Sequence, residues 1–252
     1  MTQKIALVTG GSRGLGRNAA VALARRGIDV IVTYHSRKDE ADNVVKEIEA
    51  MGRKAAALQL DTGDVSSFDA FVSGLVSVLN ETWNRENVDI LINNAGFGAR
   101  ALIAETTEEQ FDRLMNVHLK GVFFLSQNMF PHLADNGRVI NISTGLTRFT
   151  LEGSGAYAAM KGAVEVLTKY MAKEWGKRGI RVNVVAPGAI ATDFNGGAVR
   201  DNQQMRQFVA SNIALGRVGE PDDIGGVVAS LCTDEFGWVN GTRIEASGGQ
   251  ML

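Results

Sequence analysis

The chain has 252 residues, 45% of them hydrophobic and 21% charged, with 26 Lys and Arg against 28 Asp and Glu for a formal charge of −2. That composition fits one large soluble α/β domain spanning 1–252, and the missing basic excess argues against a nucleic-acid binder. A lone cysteine, Cys232, excludes an intrachain disulfide framework and a Cys-rich metal site, and suits a reducing cytoplasm. No apolar run approaches the ~18 residues of a membrane span, and Ile5–Val8 is too short for a signal-peptide core.

In chain order, Lys4 to Thr9 reads as a strand, followed by a glycine-rich turn and a helix from about Gly14 to Arg26 closed by Gly27. Asp29 to Tyr34 is a second strand, Glu40 to Met51 a helix, Lys54 to Leu60 a third strand, Ser66 to Leu79 a helix and Asp89 to Ile92 a fourth strand. Two long helices follow near Thr107–Ala134 and Gly155–Arg178, with strands at Arg138–Ile142 and Arg181–Ala186, and a last strand at Thr242–Glu245. This rhythm predicts a single-domain, doubly wound parallel sheet of the Rossmann type with helices on both faces. Ligands of such sheets bind beyond the carboxyl ends of the strands, so the unusual residues after each strand are the candidates for chemistry.

The first such stretch is Thr9-Gly10-Gly11-Ser12-Arg13-Gly14-Leu15-Gly16. Its glycines permit a tight turn and close approach of a pyrophosphate, and the helix that follows offers N–H groups and a positive dipole end. Later come Asn93-Asn94-Ala95-Gly96, Tyr157-Ala158-Ala159-Met160-Lys161 and Pro187-Gly188-Ala189-Ile190-Ala191-Thr192. The spacing Gly10, Gly14, Gly16 with the three later motifs resembles the short-chain dehydrogenase/reductase family over essentially the whole chain, including its 3-oxoacyl-acyl-carrier-protein-reductase-like members. The resemblance implies an oxidoreductase that moves a hydride between nicotinamide and a carbonyl or secondary alcohol.

It also implies site residues. Gly10, Ser12, Arg13, Gly14, Leu15 and Gly16 would line the dinucleotide, with Asp61 and Thr62 at the adenine and Asn93, Ala95 and Gly96 on the adenosine side. Pro187, Gly188, Ile190 and Thr192 would fix the nicotinamide. Asp61 also reads as a turn or cap aspartate, and Asn93 and Asn94 as buried braces. The second strand ends Thr33-Tyr34-His35-Ser36-Arg37-Lys38 without a carboxylate. Ser36 and Arg37, with Arg13, therefore suit a ribose phosphate, so NADP(H) is expected over NAD(H); the plainer reading is that Arg37 and Lys38 are solvated loop charges.

Tyr157 and Lys161 lie one helical turn apart, on one face. A phenol titrates near ~10 in water, and a neighbouring ammonium is expected to pull that down, making Tyr157 the general acid in reduction and base in oxidation. The resemblance gives Lys161 a second contact, to the nicotinamide ribose. It places a serine thirteen residues before the tyrosine; Thr144 stands there, carrying the same hydroxyl, with Ser143 pointing to the other face of its strand. Asn116 matches the family asparagine that seats a water near the lysine, and His118 reads as a structural histidine. No metal-ligand spacing occurs.

The segment 193–220 is expected to form a lid, with Phe97, Leu146, Arg148 and Phe149 completing a pocket for a small carbonyl or alcohol: a ketone, a sugar or a 3-oxoacyl group. An acidic acyl carrier would need basic surface, for which Lys177 and Arg178 are the candidates. Family analogy implies a homodimer or homotetramer, with Met129, Phe130, Val164, Val166 and Leu167 as contact residues or core. The competing reading is a non-catalytic NADP(H)-sensing or interaction protein, which has no need of Thr144, Tyr157 and Lys161 together.

Overall fold

The computed structural model describes residues 3–252. Its strands are β1 (Ile5–Val8), β2 (Asp29–Tyr34), β3 (Ala55–Gln59), β4 (Val88–Asn93), β5 (Leu133–Ile142), β6 (Arg181–Pro187) and β7 (Arg243–Ala246). All pair in parallel, in the order β3-β2-β1-β4-β5-β6-β7. The chain winds outward from β1 to β3, then returns to lay β4 on the other side of β1. That reversal opens a crevice above the carboxyl ends of β1 and β4.

Period-two alternation builds the two layers. Ala6 and Val8 face one side with Val30, Val32, Ile90 and Ile92, and are covered by α1 (Gly14–Arg25), α2 (Lys38–Ala50) and α9 (Pro221–Leu231). Ile5 and Leu7 face the other with Ile31, Leu91, Val139 and Val182, beneath α3 (Phe68–Trp83), α5 (Gly121–Met129) and α6 (Gly155–Trp175). Both faces of the central strands are covered, which explains why these strands read as unbroken apolar runs.

Two expectations are corrected. The single helix near Thr107–Ala134 is instead α4 (Glu108–Met115), a π turn over Asn116–Lys120 and α5, ending in a 3-10 turn at Phe130–His132. Thr107 and Gln110 cap α4 reciprocally. Beyond the 3-10 turn β5 begins at Leu133, earlier than Arg138, because Leu133 pairs with Val88 across a register irregularity. The second correction is α9, a helix without a counterpart in the sequence reading. Its signals were present, Pro221 in the first turn with Glu220 and Asp223 forming a reciprocal cap, but Gly225 and Gly226 interrupt the pattern. Gly225 is needed for packing: a Cβ there would collide with the Asn18 side chain of α1.

Two further helices, α7 (Ala198–Asp201) and α8 (Gln203–Ala210), lie in the segment that follows β6.

Candidate active site

The glycine turn is a cradle that side chains would fill. Gly10 has φ +61°, and a Cβ there would lie 2.9 Å from the Ala95 α-carbon. A Cβ on Gly16 would run into the Gly10 carbonyl oxygen and the Asn94 amide. Thr9 ties this turn to the next motif: its hydroxyl accepts from the Asn94 and Ala95 N–H groups at 2.9 and 3.0 Å, while Asn94 Nδ2 donates to the Thr9 carbonyl at 2.9 Å. Helix α1 starts at Gly14 with no side-chain cap from Arg13, leaving its first-turn N–H groups for an anion. The backbone from Ser12 to Gly16 would suit a dinucleotide pyrophosphate.

Ser36 and Arg37 stand exposed past the end of β2, with Arg37 Nη2 2.8 Å from Glu40. Arg13 reaches over the crevice to Asp193 at 2.9 Å. Asp61 follows β3 and accepts the Gly63 N–H at 2.8 Å, so it makes a turn and also faces His35 at 3.5 Å. Thr62 lies beside it against the π turn, its carbonyl too close to Gly121 for any Cβ there.

Asn93 takes the buried bracing role that the sequence also allowed. Its side chain is buried and donates to Ser126 Oγ at 2.9 Å and Asn141 Oδ1 at 2.8 Å, bracing the sheet below the cofactor crevice. Gly96 serves a different neighbour as well: a Cβ there would come within 2.6 Å of His118 Cε1.

At the other end of the crevice, Pro187 closes β6 and Gly188 bonds to the Ala246 carbonyl at 3.1 Å. Ala189 donates to Gln250 Oε1 at 2.9 Å, Ile190 bridges to Gly219, and the buried Thr192 accepts the Phe194 N–H at 3.2 Å. The segment 187–192 is thus held from both flanks.

Tyr157 and Lys161 lie on the first turns of α6. Lys161 is buried and donates to the Ile142 carbonyl at 2.8 Å, and burial pushes its ammonium down to about 8. Tyr157 is half-buried; burial pushes the phenol above its ordinary value, while the neighbouring Thr144 side chain pulls the other way. Lys161, whose ammonium sits 5.9 Å from the ring centre, does not bring the phenol down as expected; desolvation of a phenolate is the dominant effect. A phenol that keeps its proton at neutral pH is a proton donor in waiting.

Thr144 lies at the carboxyl end of β5 facing Tyr157, whereas Ser143 turns away and donates to Glu165 at 2.6 Å. Asn116 is half-buried and opens the π turn, its carbonyl accepting the Gly121 N–H. Two residues on, His118 stands edge-on to Tyr157 at 5.1 Å between ring centres and tilted on Phe97 at 5.2 Å. Its Nε2 lies 2.8 Å from the Phe97 carbonyl, and burial, helped by Lys161, lowers it to about 3, so the ring is neutral at physiological pH. The extra residue of the π turn shifts the inward-facing position, which helical spacing in the sequence does not reveal.

Phe194 tilts over Tyr157 at 6.0 Å, and Arg113 stacks 4.5 Å above Phe97. Arg148 does not line the pocket; it turns to Glu245 at 2.8 Å.

A parallel sheet with a glycine-lined crevice at its point of reversal, ending in a Thr-Tyr-Lys cluster, defines a dinucleotide-dependent oxidoreductase. A family profile described as enoyl-(acyl carrier protein) reductase matches residues 10–250, and the chain belongs to the short-chain dehydrogenase/reductase family. It is 40% identical to an uncharacterized oxidoreductase of Methylorubrum extorquens, over 98% of this chain and 97% of the relative. Among solved structures it is similar to the promiscuous reductase LugOII, which catalyses keto-reduction at C1 during lugdunomycin biosynthesis, with a TM-score of 0.94, 42% identity and coverage of 100% and 99%. It is likewise similar to the angucycline C-6 ketoreductase LanV with bound NADP, with a TM-score of 0.93, 38% identity and coverage of 99% and 96%.

Proposed function

We propose that the protein is an NADPH-dependent ketoreductase acting on a ketone carried by a flat, ring-bearing small molecule. The observation that carries this reading is the convergence of Thr144, at the carboxyl end of β5, on Tyr157 of α6, with Lys161 one turn further on, beside the glycine-lined crevice. When bound, NADPH supplies the hydride to the carbonyl carbon. Tyr157 gives its phenolic proton to the carbonyl oxygen, Thr144 holds that oxygen, and Lys161 contributes positive charge beneath the ring. A phenol kept protonated by burial suits the reductive direction.

Arg13, Ser36 and Arg37, with no carboxylate at the end of β2, support the choice of NADPH. Charge-assisted hydrogen bonds contribute about 1.5–3 kcal/mol each, so NADPH should surpass NADH by roughly ten- to a hundredfold in kcat/KM. Phe97, His118 and Phe194 make an aromatic wall around Tyr157 that suits a flat ring, and the similar LugOII and LanV are a keto-reductase of lugdunomycin biosynthesis and an angucycline C-6 ketoreductase. The segment 193–220 acts as the lid, resting on Arg13 through Asp193 and on Tyr157 through Phe194. An acyl carrier is less well served: Lys177 and Arg178 precede β6, at the end of the sheet opposite the site, and Arg178 is bound to Asp135.

Oxidation of NADPH and NADH followed separately against aromatic, alicyclic, sugar and 3-oxoacyl ketones tests the reading. Turnover confined to 3-oxoacyl thioesters would overturn the substrate class, and tight NADPH binding without any turnover would favour a sensor. Thr144→Ala should lower kcat about a hundredfold, the usual cost of one hydrogen-bond donor to a developing oxyanion, with NADPH affinity unchanged. Equal kcat in that variant would remove Thr144 from the mechanism.

The chain also suits a homo-oligomer. Met129 and Val164 are buried in this chain's own core, but Phe123, Val166 and Tyr170 leave apolar surface exposed on α5 and α6. Light scattering should give a multiple of the chain mass; a single-chain mass at micromolar concentration would refute it.

A further inference from the structure

An ion-pair network joins the helix that carries Tyr157 and Lys161 to the loop that carries Thr144. Glu165 lies on α6 four residues after Lys161 and eight after Tyr157, so the three share one side of the helix. Its Oε1 accepts from Ser143 Oγ at 2.6 Å and from Arg243 Nε at 2.9 Å. The Thr147 hydroxyl lies 2.7 Å from the same oxygen and 3.0 Å from the Thr144 carbonyl, and its single proton serves one of them at a time.

Arg243, on β7, spreads its guanidinium across the gap. Nη1 donates to Glu245 at 2.9 Å, while Nη2 donates to Thr147 Oγ1 at 3.2 Å and to the Thr144 carbonyl at 3.3 Å. Glu245 also takes Arg148 and Ser247, each at 2.8 Å. Arg148 in turn donates to the carbonyls of Gln250 and Met251, and Gln250 Oε1 accepts the Ala189 N–H in the nicotinamide segment. The side chains of Glu165 and Arg243 are only 17% and 23% exposed, so this pair is shielded in a way that surface pairs are not.

Thr144 is an extended residue between the end of β5 and a short 3-10 turn, and its carbonyl is held by this network. Glu165 therefore references the loop to the same helix that sets Tyr157. We propose that Glu165 and Arg243 are positioning residues that fix the Thr144 hydroxyl against the Tyr157 phenol, and that they act on the reaction through Thr144. The proposal rests on the reading of Thr144 as the group that holds the substrate oxygen. A misplacement of about 1 Å at a reacting centre is enough to cost up to a hundredfold in rate, which gives a distant ion pair its leverage.

A double-mutant cycle on the full-length protein tests it, with a ketone found active for the wild type. Glu165→Gln keeps the side chain's size and removes its charge. It should lower kcat roughly tenfold, with NADPH affinity and the KM for NADPH unchanged. In the Thr144→Ala background the same substitution should change kcat by less than about twofold, because the group it positions is gone. An equal loss in both backgrounds, or a lowered melting temperature with unchanged kcat, would overturn the proposal while leaving the ketoreductase reading intact. If Thr144→Ala itself has no effect, the reading of Thr144 and the proposal fall together. Arg243→Lys, which keeps the charge but loses the fork, provides the same cycle should Glu165→Gln fold poorly; its loss of kcat should likewise vanish without the Thr144 hydroxyl.

Discussion

Replacing Tyr157 by phenylalanine is expected to lower kcat for ketone reduction by about three orders of magnitude, within the range that a positioned general acid contributes. The ring would still fill its place between His118 and Phe194, whose centres lie 5.1 and 6.0 Å away, so the site keeps its shape and loses one hydroxyl. That hydroxyl is the proposed proton source, and Thr144 is its neighbour. NADPH titration by nicotinamide fluorescence should give an affinity within about fivefold of the wild type, because one neutral hydrogen bond contributes about 1 kcal/mol. A kcat within tenfold of the wild type would show that another group delivers the proton. His118 is a poor substitute as proton donor, because it is neutral and its Nε2 is committed to the Phe97 carbonyl.

Lys161→Met should abolish most turnover and yet stabilise the protein at neutral pH. Lys161 is buried, and burial is the cause that brings its ammonium down to about 8. In the unfolded chain a lysine titrates near ~10.4. Below about pH 8 both states carry the proton, and the folded state bears the full cost of burying a charge. Between about 8 and ~10.4 the unfolded chain holds a proton that the folded protein lacks, so stability rises with pH across that window, by roughly 3 kcal/mol in all. Methionine removes this cost but leaves the Ile142 carbonyl without its 2.8 Å donor, a loss of about 1–2 kcal/mol. The expected net gain is about 1–2 kcal/mol at pH 7, measured by urea unfolding without cofactor. Above about pH 10 the gain should vanish or reverse. A variant less stable than the wild type at pH 7 would show that the ammonium is better solvated than its burial implies.

Lys161 also marks the boundary between local and global information: its spacing from Tyr157 is local, and its burial is not. The strands around Ile5–Val8, Asp29–Tyr34 and Arg181–Pro187 were legible because their apolar runs are bounded by turn residues, and the fold class follows from their alternation with helical periodicity. The glycine turn was legible because Gly10, Gly14 and Gly16 meet a local backbone requirement. So was the Tyr157–Lys161 pair, since four residues on a helix make one turn. Helix α9 was missed because Gly225 and Gly226 look like breakers until α1 is packed against them.

The order of the strands and the residues placed after each of them could be read from the chain because both depend on residues within a turn or two of one another, whereas α9 and the π turn at Asn116–Lys120 could not. The tertiary structure alone decided which side chains meet. It set His118 edge-on to Tyr157 beside a π turn, drew Asn93 into a brace with Ser126 and Asn141, and paired Arg148 with Glu245. It also made burial the main influence on the Tyr157 proton. Burial and hydrogen bonding across strands depend on residues tens of positions apart, such as Glu165 with Ser143 and Arg243, and no local pattern encodes that distance.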